Sequence, residues 1–311
     1  GYDEGLAAGC IAAGGTLGIL IPPSVILIIF GIMTETDIGL LFIAGILPGL
    51  LGVLFYLVAV LVTVTLKPEK GPRGERFSWP QRLHALWGVS GVLSLFTLVI
   101  GGIYGGIFTP TEAAGIGASG AFLIALIRRR LSLQSLLETL VESARTTAMI
   151  FVILIGAEIF SNYVNIAGLP ELLSDWVVSF DLSAIAVIML IMLVYVVLGT
   201  VLESLSMIML TVPVFYPLVL GLDLGDYSDA LMDPEMALIW FGIIVVVITE
   251  ISLITPPVGL NVFVLKSMLE DVKLSTIFRG VTPFWMVDIV RLMTLILLPG
   301  LVLWLPNLMA S

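Results

Sequence analysis

Two short stretches of this chain hold residue types that could do chemistry. The first, GGTLGILIPPS (14–24), places Gly14, Gly15, Thr16 and Gly18 ahead of Pro22 and Pro23. The second, TEISLITPPVG (249–259), places Thr249, Ser252 and Thr255 ahead of Pro256 and Pro257. Proline has no N–H and crowds the preceding turn, so a Pro-Pro pair breaks a helix and deprives two carbonyls of their donors. In hydrocarbon, such carbonyls are tolerated only when buried in protein or turned to a polar cavity. A dehydrated cation suits them, especially with hydroxyls nearby. Each break is therefore read as a Na⁺ site, and Na⁺ is preferred to Ca²⁺ because few carboxylates are close. A simple kink is the alternative for either break alone. Against it, both apolar runs lead to a Gly-x-x-Pro at nearly equal distance, Pro22 to Pro48 and Pro256 to Pro283.

A third polar cluster, Gly199, Thr200, Glu203, Ser204 and Ser206, interrupts the apolar run 198–217. A re-entrant hairpin with its tip at 199–206, near the second break, is one reading. Two ordinary spans joined by a polar turn is the other. Four acids lie in or near apolar segments: Glu112, Glu158, Glu250 and Asp288. Ionisable groups are costly in a membrane and are candidates for function by default. Asp288 and Arg291, three apart, suit a local ion pair. Glu158 suits local pairing as well. Glu250, about two turns before the second break, is assigned to the substrate side of that site, to a place behind its ligands, or to coupling.

The elements that must position these residues are membrane helices. Hydrophobic residues make up 59% of the 311, and charged residues 12%, where a soluble domain carries about 25% charged. Such a chain could not cover itself with polar surface in water. A soluble enzyme, a nucleic-acid binder and a disordered chain are excluded, and a net charge of −10 argues further against a phosphate backbone as partner. One cysteine (Cys10) and one histidine (His84) leave no disulfide framework and no metal centre. Apolar runs of spanning length occur at 6–33 and 236–265 (both interrupted), 40–66, 86–107, 112–128, 146–166, 183–200, 205–221 and 281–304. No barrel-like alternation occurs, so the expected fold is an all-α polytopic membrane protein.

Basic residues mark cytoplasmic loops. Lys67, Lys70, Arg73, Arg76 and Arg82 lie in one loop, and Arg128 to Arg130 with Arg145 flank an amphipathic stretch, 131–142, that reads as an interfacial helix. Loop 266–280 is mildly basic. On the other side, 221–235 carries Asp223, Asp226, Asp229, Asp233 and Glu235 without a base, and 168–181 is likewise purely acidic. With these assignments the two broken helices run in opposite senses, the mark of an inverted repeat with interrupted helices near the midplane. The expected organisation is 1–66 as the end of a first repeat broken at 22–23. Residues 67–145 form a connecting scaffold. Residues 146–311 form a second repeat, with a hairpin near 183–221 and a break at 256–257.

Three runs together carry a family resemblance: GYDEGLAAGCIAAGGTLGILIPPSVILIIFG (1–31), GGIYGGIFTPTEAAGIGA (101–118) and ITPPVGLNVFVL (254–265). The chain resembles, over essentially its whole length, the large membrane subunit of TRAP (tripartite ATP-independent periplasmic) transporters. The resemblance implies an elevator-type secondary transporter, not an enzyme, in a bacterial or archaeal inner membrane. It implies Na⁺ as coupling ion, no cofactor, and an organic acid such as a C4-dicarboxylate or sialic acid as substrate. Implied partners are a small membrane subunit and a periplasmic substrate-binding protein. The implied ion-site positions are Gly15, Thr16, Gly18, Pro22 and Pro23, with Thr200, Ser204, Ser206, Ser252, Thr255, Pro256 and Pro257. Asn261 joins Glu250 on the substrate side. A further hairpin, rich in Gly and Ser, is expected upstream of Gly1. The FTPTEAA run (108–114) reads as a capped helix start, with a docking surface as its rival. Competing functions are a binding-protein-independent carboxylate carrier or antiporter, an intramembrane protease and a channel. The FTPTEAA run opposes the first, and the lack of HExxH or an intramembrane His opposes the second.

Overall fold

The computed structural model describes residues 2–310 except 73, 75, 76 and 226. Gly1, Arg73, Arg76 and Asp226, all used above, lie outside the described residues. The described residues are helical, without strands, and seven helical segments are long and apolar enough to cross a membrane. Large apolar side chains stand fully out on many helices, among them Leu57, Leu61 and Ile159. Water would not tolerate so much exposed apolar surface; lipid would.

The chain divides into two compact units, Gly1–Pro72 with Gly156–Ser311, and Arg73–Ile155. The smaller unit is built on α4 (Trp79–Tyr104) and α5 (Pro110–Ile127), which pack as a hairpin. Gly120 lets the Leu95 side chain approach α5 closely. Thr109 and Glu112 form a reciprocal capping box, with Pro110 at the first helical position. The helical start expected at FTPTEAA is thus formed. The stretch 131–142 is not a separate interfacial helix. It is the first part of α6 (Leu133–Ile166), which runs unbroken for 34 residues. No Gly or Pro occurs between 133 and 155 to stop it.

The larger unit holds both breaks. Its first half is α1 (Glu4–Leu20), α2 (Val25–Thr34) and α3 (Ile38–Leu66). Asp3 caps α1 by accepting from the Leu6 amide at 2.9 Å, which holds its carboxyl below the usual carboxylate range. The Asp3 amide donates to the Lys70 carbonyl at 3.0 Å, so α1 begins on the face where α3 ends. Its second half is α7 (Leu169–Ser179), α8 (Ala184–Gly199), α9 (Ser204–Leu220), α10 (Pro234–Ser252), α11 (Leu260–Met268), α12 (Leu274–Leu297) and α13 (Gly300–Ala310). The apolar run 281–304 is two helices rather than one, because Pro299 cannot donate to the carbonyl of Leu295 and ends α12. That carbonyl accepts instead from the indole of Trp240 at 3.0 Å. Every residue of α10 from Met236 to Ser252 is buried. Around it pack α1, α2, α3, α8, α9, α12 and α13.

The tightest crossing is that of α1 on α12. A Cβ at Gly9 would stand 2.2 Å from the Gly280 carbonyl oxygen, and one at Gly280 would stand 1.7 Å from that of Gly5. Backbones meet at this distance only where both helices present glycine. Leu6, Ala13 and Leu17 of α1 then share one core with Ile254, Val262 and Phe284.

Candidate functional site

The first break separates α1 from α2. Helical carbonyls take their donor four residues on, so Pro22 and Pro23 stand where the donors to Gly18 and Ile19 would be. The Ile19 carbonyl is rescued by the Ser24 hydroxyl. The Ser24 Oγ in turn accepts from the Leu27 amide at 3.3 Å and so caps α2. The Gly18 carbonyl keeps no helical donor. Around it the face of α1 is open: beyond its own helix, no described atom lies within 4 Å of a Cβ built at Gly14, Gly15 or Gly18. The other side of the break is covered by α3, where Gly45 admits the Leu20 carbonyl and Pro22. The peptide bond Pro22–Pro23 is cis, as is Pro256–Pro257.

The second break separates α10 from α11, and the helix end before it is enclosed. Pro256 and Pro257 stand where the donors to Ser252 and Leu253 would be. Ser252 takes the Thr255 amide at 3.1 Å, and Leu253 takes the Asn261 amide, also at 3.1 Å. Gly259, at φ +61°, turns the chain into α11. Thr249, Ser252 and Thr255 are buried. The Thr255 hydroxyl donates to the Ile251 carbonyl at 2.6 Å and accepts from the Trp285 indole at 2.8 Å.

The hairpin α8–α9 brings its tip to this break. Gly199 sits so near Ser252 that an added Cβ would be 2.1 Å from its Oγ. The arms have 16 and 17 residues, about 24–26 Å of helix, which is short of the roughly 30 Å hydrocarbon thickness. Glu203 caps α9, accepting from the Leu205 and Ser206 amides at 3.0 and 3.1 Å. Thr200 and Ser204 are buried and Ser206 is half-buried.

Thr16, Thr200, Ser252 and Thr255 all donate their hydroxyl hydrogen to a carbonyl of their own helix. Each such oxygen keeps lone pairs for an acceptor role, which is what a cation needs. Thr255 has one of these taken by Trp285. Gly15, Gly18 and Pro23 line the exposed side of the first break, while Pro22 is buried beneath α3. Pro256 and Pro257 are exposed, and Asn261 is half-buried at the start of α11.

Glu250 is 0% exposed, and its Oε2 is 2.5 Å from Nη2 of Arg291. The same Nη2 lies 3.1 Å from Oδ1 of Asp288, so the expected Asp288–Arg291 pair is present but shares its cation. Tyr56 donates to the other Asp288 oxygen, and the Thr16 hydroxyl lies beside the same phenol. Gly52 makes the slot: a Cβ there would be 2.1 Å from Nη1 of Arg291. Beside this group opens a cavity of about 190 Å³ lined by Cys10, Gly14, Leu17, Val53, Tyr56 and Phe284. Ser24, Gly52, Tyr56 and Trp285 were missed by sequence reasoning. The distance of Gly52 and Tyr56 after Pro48 was the available signal for two of them; Trp285 lay two residues past Pro283.

Comparison with known proteins places the chain in a family. Residues 1–301 match the family model described as "Tripartite ATP-independent periplasmic transporter, DctM component". The chain is 36% identical to the C4-dicarboxylate TRAP transporter large permease protein DctM of Pseudomonas aeruginosa. That match covers 99% of this chain and 69% of that protein. It is 33% identical to the sialic acid TRAP transporter large permease protein SiaM of Vibrio cholerae, over 99% of this chain and 69% of that one. It is 34% identical to the isethionate TRAP transporter permease protein DctMQ of Oleidesulfovibrio alaskensis, over 91% and 42% respectively. All three are named as permeases, not enzymes. With a whole-chain family match and a buried polar site at two helix breaks, the chain belongs to the large permease family of TRAP transporters.

Proposed function

We propose that this chain carries an organic acid across the inner membrane, driven by a Na⁺ gradient, with Na⁺ held at the two Pro-Pro breaks. The observation that carries the reading is the pair of breaks itself. Each displaces two helical donors, and each has hydroxyl oxygens with lone pairs to spare. Thr16 and Gly18 at the first break, and Thr200, Ser252 and Thr255 around the second, are the oxygen donors assigned to the ions. Oxygen-only donor sets without a carboxylate suit a monovalent cation.

The substrate is assigned to the carboxylate class. Relatives are named for C4-dicarboxylate, sialic acid and 2,3-diketo-L-gulonate. The chain works with a small membrane subunit and a periplasmic binding protein, as the tripartite family description implies. The name DctMQ marks a permease in which two such parts are one chain.

Uptake into vesicles holding the assembled transporter, supplied with loaded binding protein, tests the coupling. An inward Na⁺ gradient drives accumulation, and replacing Na⁺ by choline abolishes it. Accumulation that persists in choline overturns the reading. Thr16→Val and Thr255→Val then each raise the Na⁺ concentration for half-maximal uptake; no change in either removes those positions from the sites.

A further inference from the structure

The enclosed group around Arg291 occupies matching places in the two repeats. Thr16 stands six residues before Pro22, and Glu250 six before Pro256. Tyr56 stands eight after Pro48, and Arg291 eight after Pro283. The pair Thr16–Tyr56 is therefore the counterpart of Glu250–Arg291. Both pairs meet at Asp288, which takes the Tyr56 hydrogen on one oxygen and faces Arg291 with the other. The cluster lies where the repeats join, behind both breaks at once.

Its charges do not balance. Four helices, α1, α3, α10 and α12, supply its polar side chains: Thr16, Tyr56, Glu250, Asp288 and Arg291. Two acids share one base, and Glu250, Asp288 and Arg291 are each 0% exposed. Arg291 serves both acids through Nη2, while Glu250 Oε1 has no hydrogen-bond partner. A buried charge group of this kind is weak evidence for stability, since apolar residues of like volume serve packing as well or better. Its position suggests another use. Glu250 is two residues before Ser252, whose hydroxyl faces the hairpin tip. With both carboxyls ionised, the cluster places an excess of negative charge near the break, which strengthens binding of a cation there because the surroundings screen it weakly.

We propose that Glu250, held by Arg291, Asp288 and Tyr56 in the slot left by Gly52, is a positioning residue whose cluster sets the cation affinity of the breaks. The inference rests on the Na⁺ reading above and adds to it a group that touches no ion.

Glu250→Gln is nearly isosteric, can still accept from Arg291, and leaves one acid against one base. The purified full transporter carrying it is compared with wild type in NaCl and choline chloride at fixed ionic strength. Two quantities are read: Na⁺-dependent thermal protection and the Na⁺ concentration for half-maximal uptake. Both half-saturation values rise about tenfold, the KM for the organic acid at saturating Na⁺ stays put, and Glu250→Asp recovers most of the loss. A folded Glu250→Gln protein with wild-type Na⁺ half-saturation overturns the inference and leaves the cluster a structural one. If that variant does not fold, Asp288→Asn makes the same charge change and meets the same criterion. Wild-type protein indifferent to Na⁺ in both readouts sinks the underlying ion reading instead.

Discussion

The two Pro-Pro breaks share a sequence pattern and differ in almost everything around it. In both, the second proline takes the donor from a carbonyl four residues back, Ile19 or Leu253. The first break replaces it with a side chain, the Ser24 hydroxyl. The second replaces it with backbone, the Asn261 amide at 3.1 Å. The first leaves Gly14, Gly15 and Gly18 on an open face. At the second, the hairpin tip and Trp285 close over the helix end at Ser252 and Thr255, with an ion pair behind it, while Pro256 and Pro257 are exposed. Equal motifs thus dictate where the helix stops, while the neighbours decide how the freed groups are satisfied.

The comparison can be broken by substitutions that cost much at the enclosed break and little at the open one. The largest effect is expected of Arg291→Met, which leaves Glu250 and Asp288 buried without a base. Removing one partner of a buried pair costs about 3–5 kcal/mol, so thermal unfolding of the detergent-solubilised protein falls sharply. A wild-type midpoint would mean that the pair is not enclosed.

Next comes glycine. Gly199→Ala drives a methyl group into Ser252 and costs about 1–3 kcal/mol by overpacking. Gly15→Ala meets no side chain and sits inside α1, so it holds or raises stability by up to about 1 kcal/mol. Thermal midpoints of the two variants separate in opposite directions from wild type; equal losses would erase the contrast.

A smaller pair sharpens the rescue chemistry. Ser24→Ala removes both the donor to Ile19 and the cap of α2, worth about 1–2 kcal/mol. Asn261→Ala keeps its backbone amide and so leaves the second break's stability nearly unchanged. Hydrogen exchange at the amides of α2 and α11 reads each break separately. Protection lost equally in both variants would contradict the side-chain versus backbone distinction.

The smallest effect is at the start of the first broken helix. The Leu6 amide, and then Lys70, hold the Asp3 carboxyl low. A carboxyl lowered by folding stabilises above its unfolded pKa, about 3.9, and loses that contribution as pH falls through the folded value. Asp3→Ala therefore costs about 1 kcal/mol at neutral pH. The difference from wild type shrinks on acidification below pH 4, seen as converging thermal midpoints.

Much of the fold was legible because lipid imposes simple rules on sequence. Apolar runs of spanning length marked most of the helices, and Pro-Pro marked both breaks. The short arms at 183–221 emerged as the pair α8 and α9. Where the sequence reading went wrong, the cause was local. The polar composition of 131–142 suggested a separate helix, yet nothing in it ends one, and α6 runs through. Pro299 inside 281–304 was passed over and divides α12 from α13. Of the site, the backbone breaks and their hydroxyls were visible as residue types. The Arg291 cluster was not, because its members come from residues 16, 52, 56, 250, 288 and 291.

The sequence by itself determined a helical membrane protein, two interrupted helices and a polar hairpin tip. These follow from local physics: hydrophobic length, missing proline donors and glycine. Only the tertiary structure decided that the helix end before one break is open and that before the other enclosed, and that Glu250 pairs with Arg291. Those outcomes depend on which helices meet, and the meeting is set by close approach of backbone to Gly5, Gly9 and Gly280 and of side chains to Gly52 and Gly199. A glycine has the same letter whether its missing side chain makes room for an arginine, for another backbone, or for nothing within 4 Å.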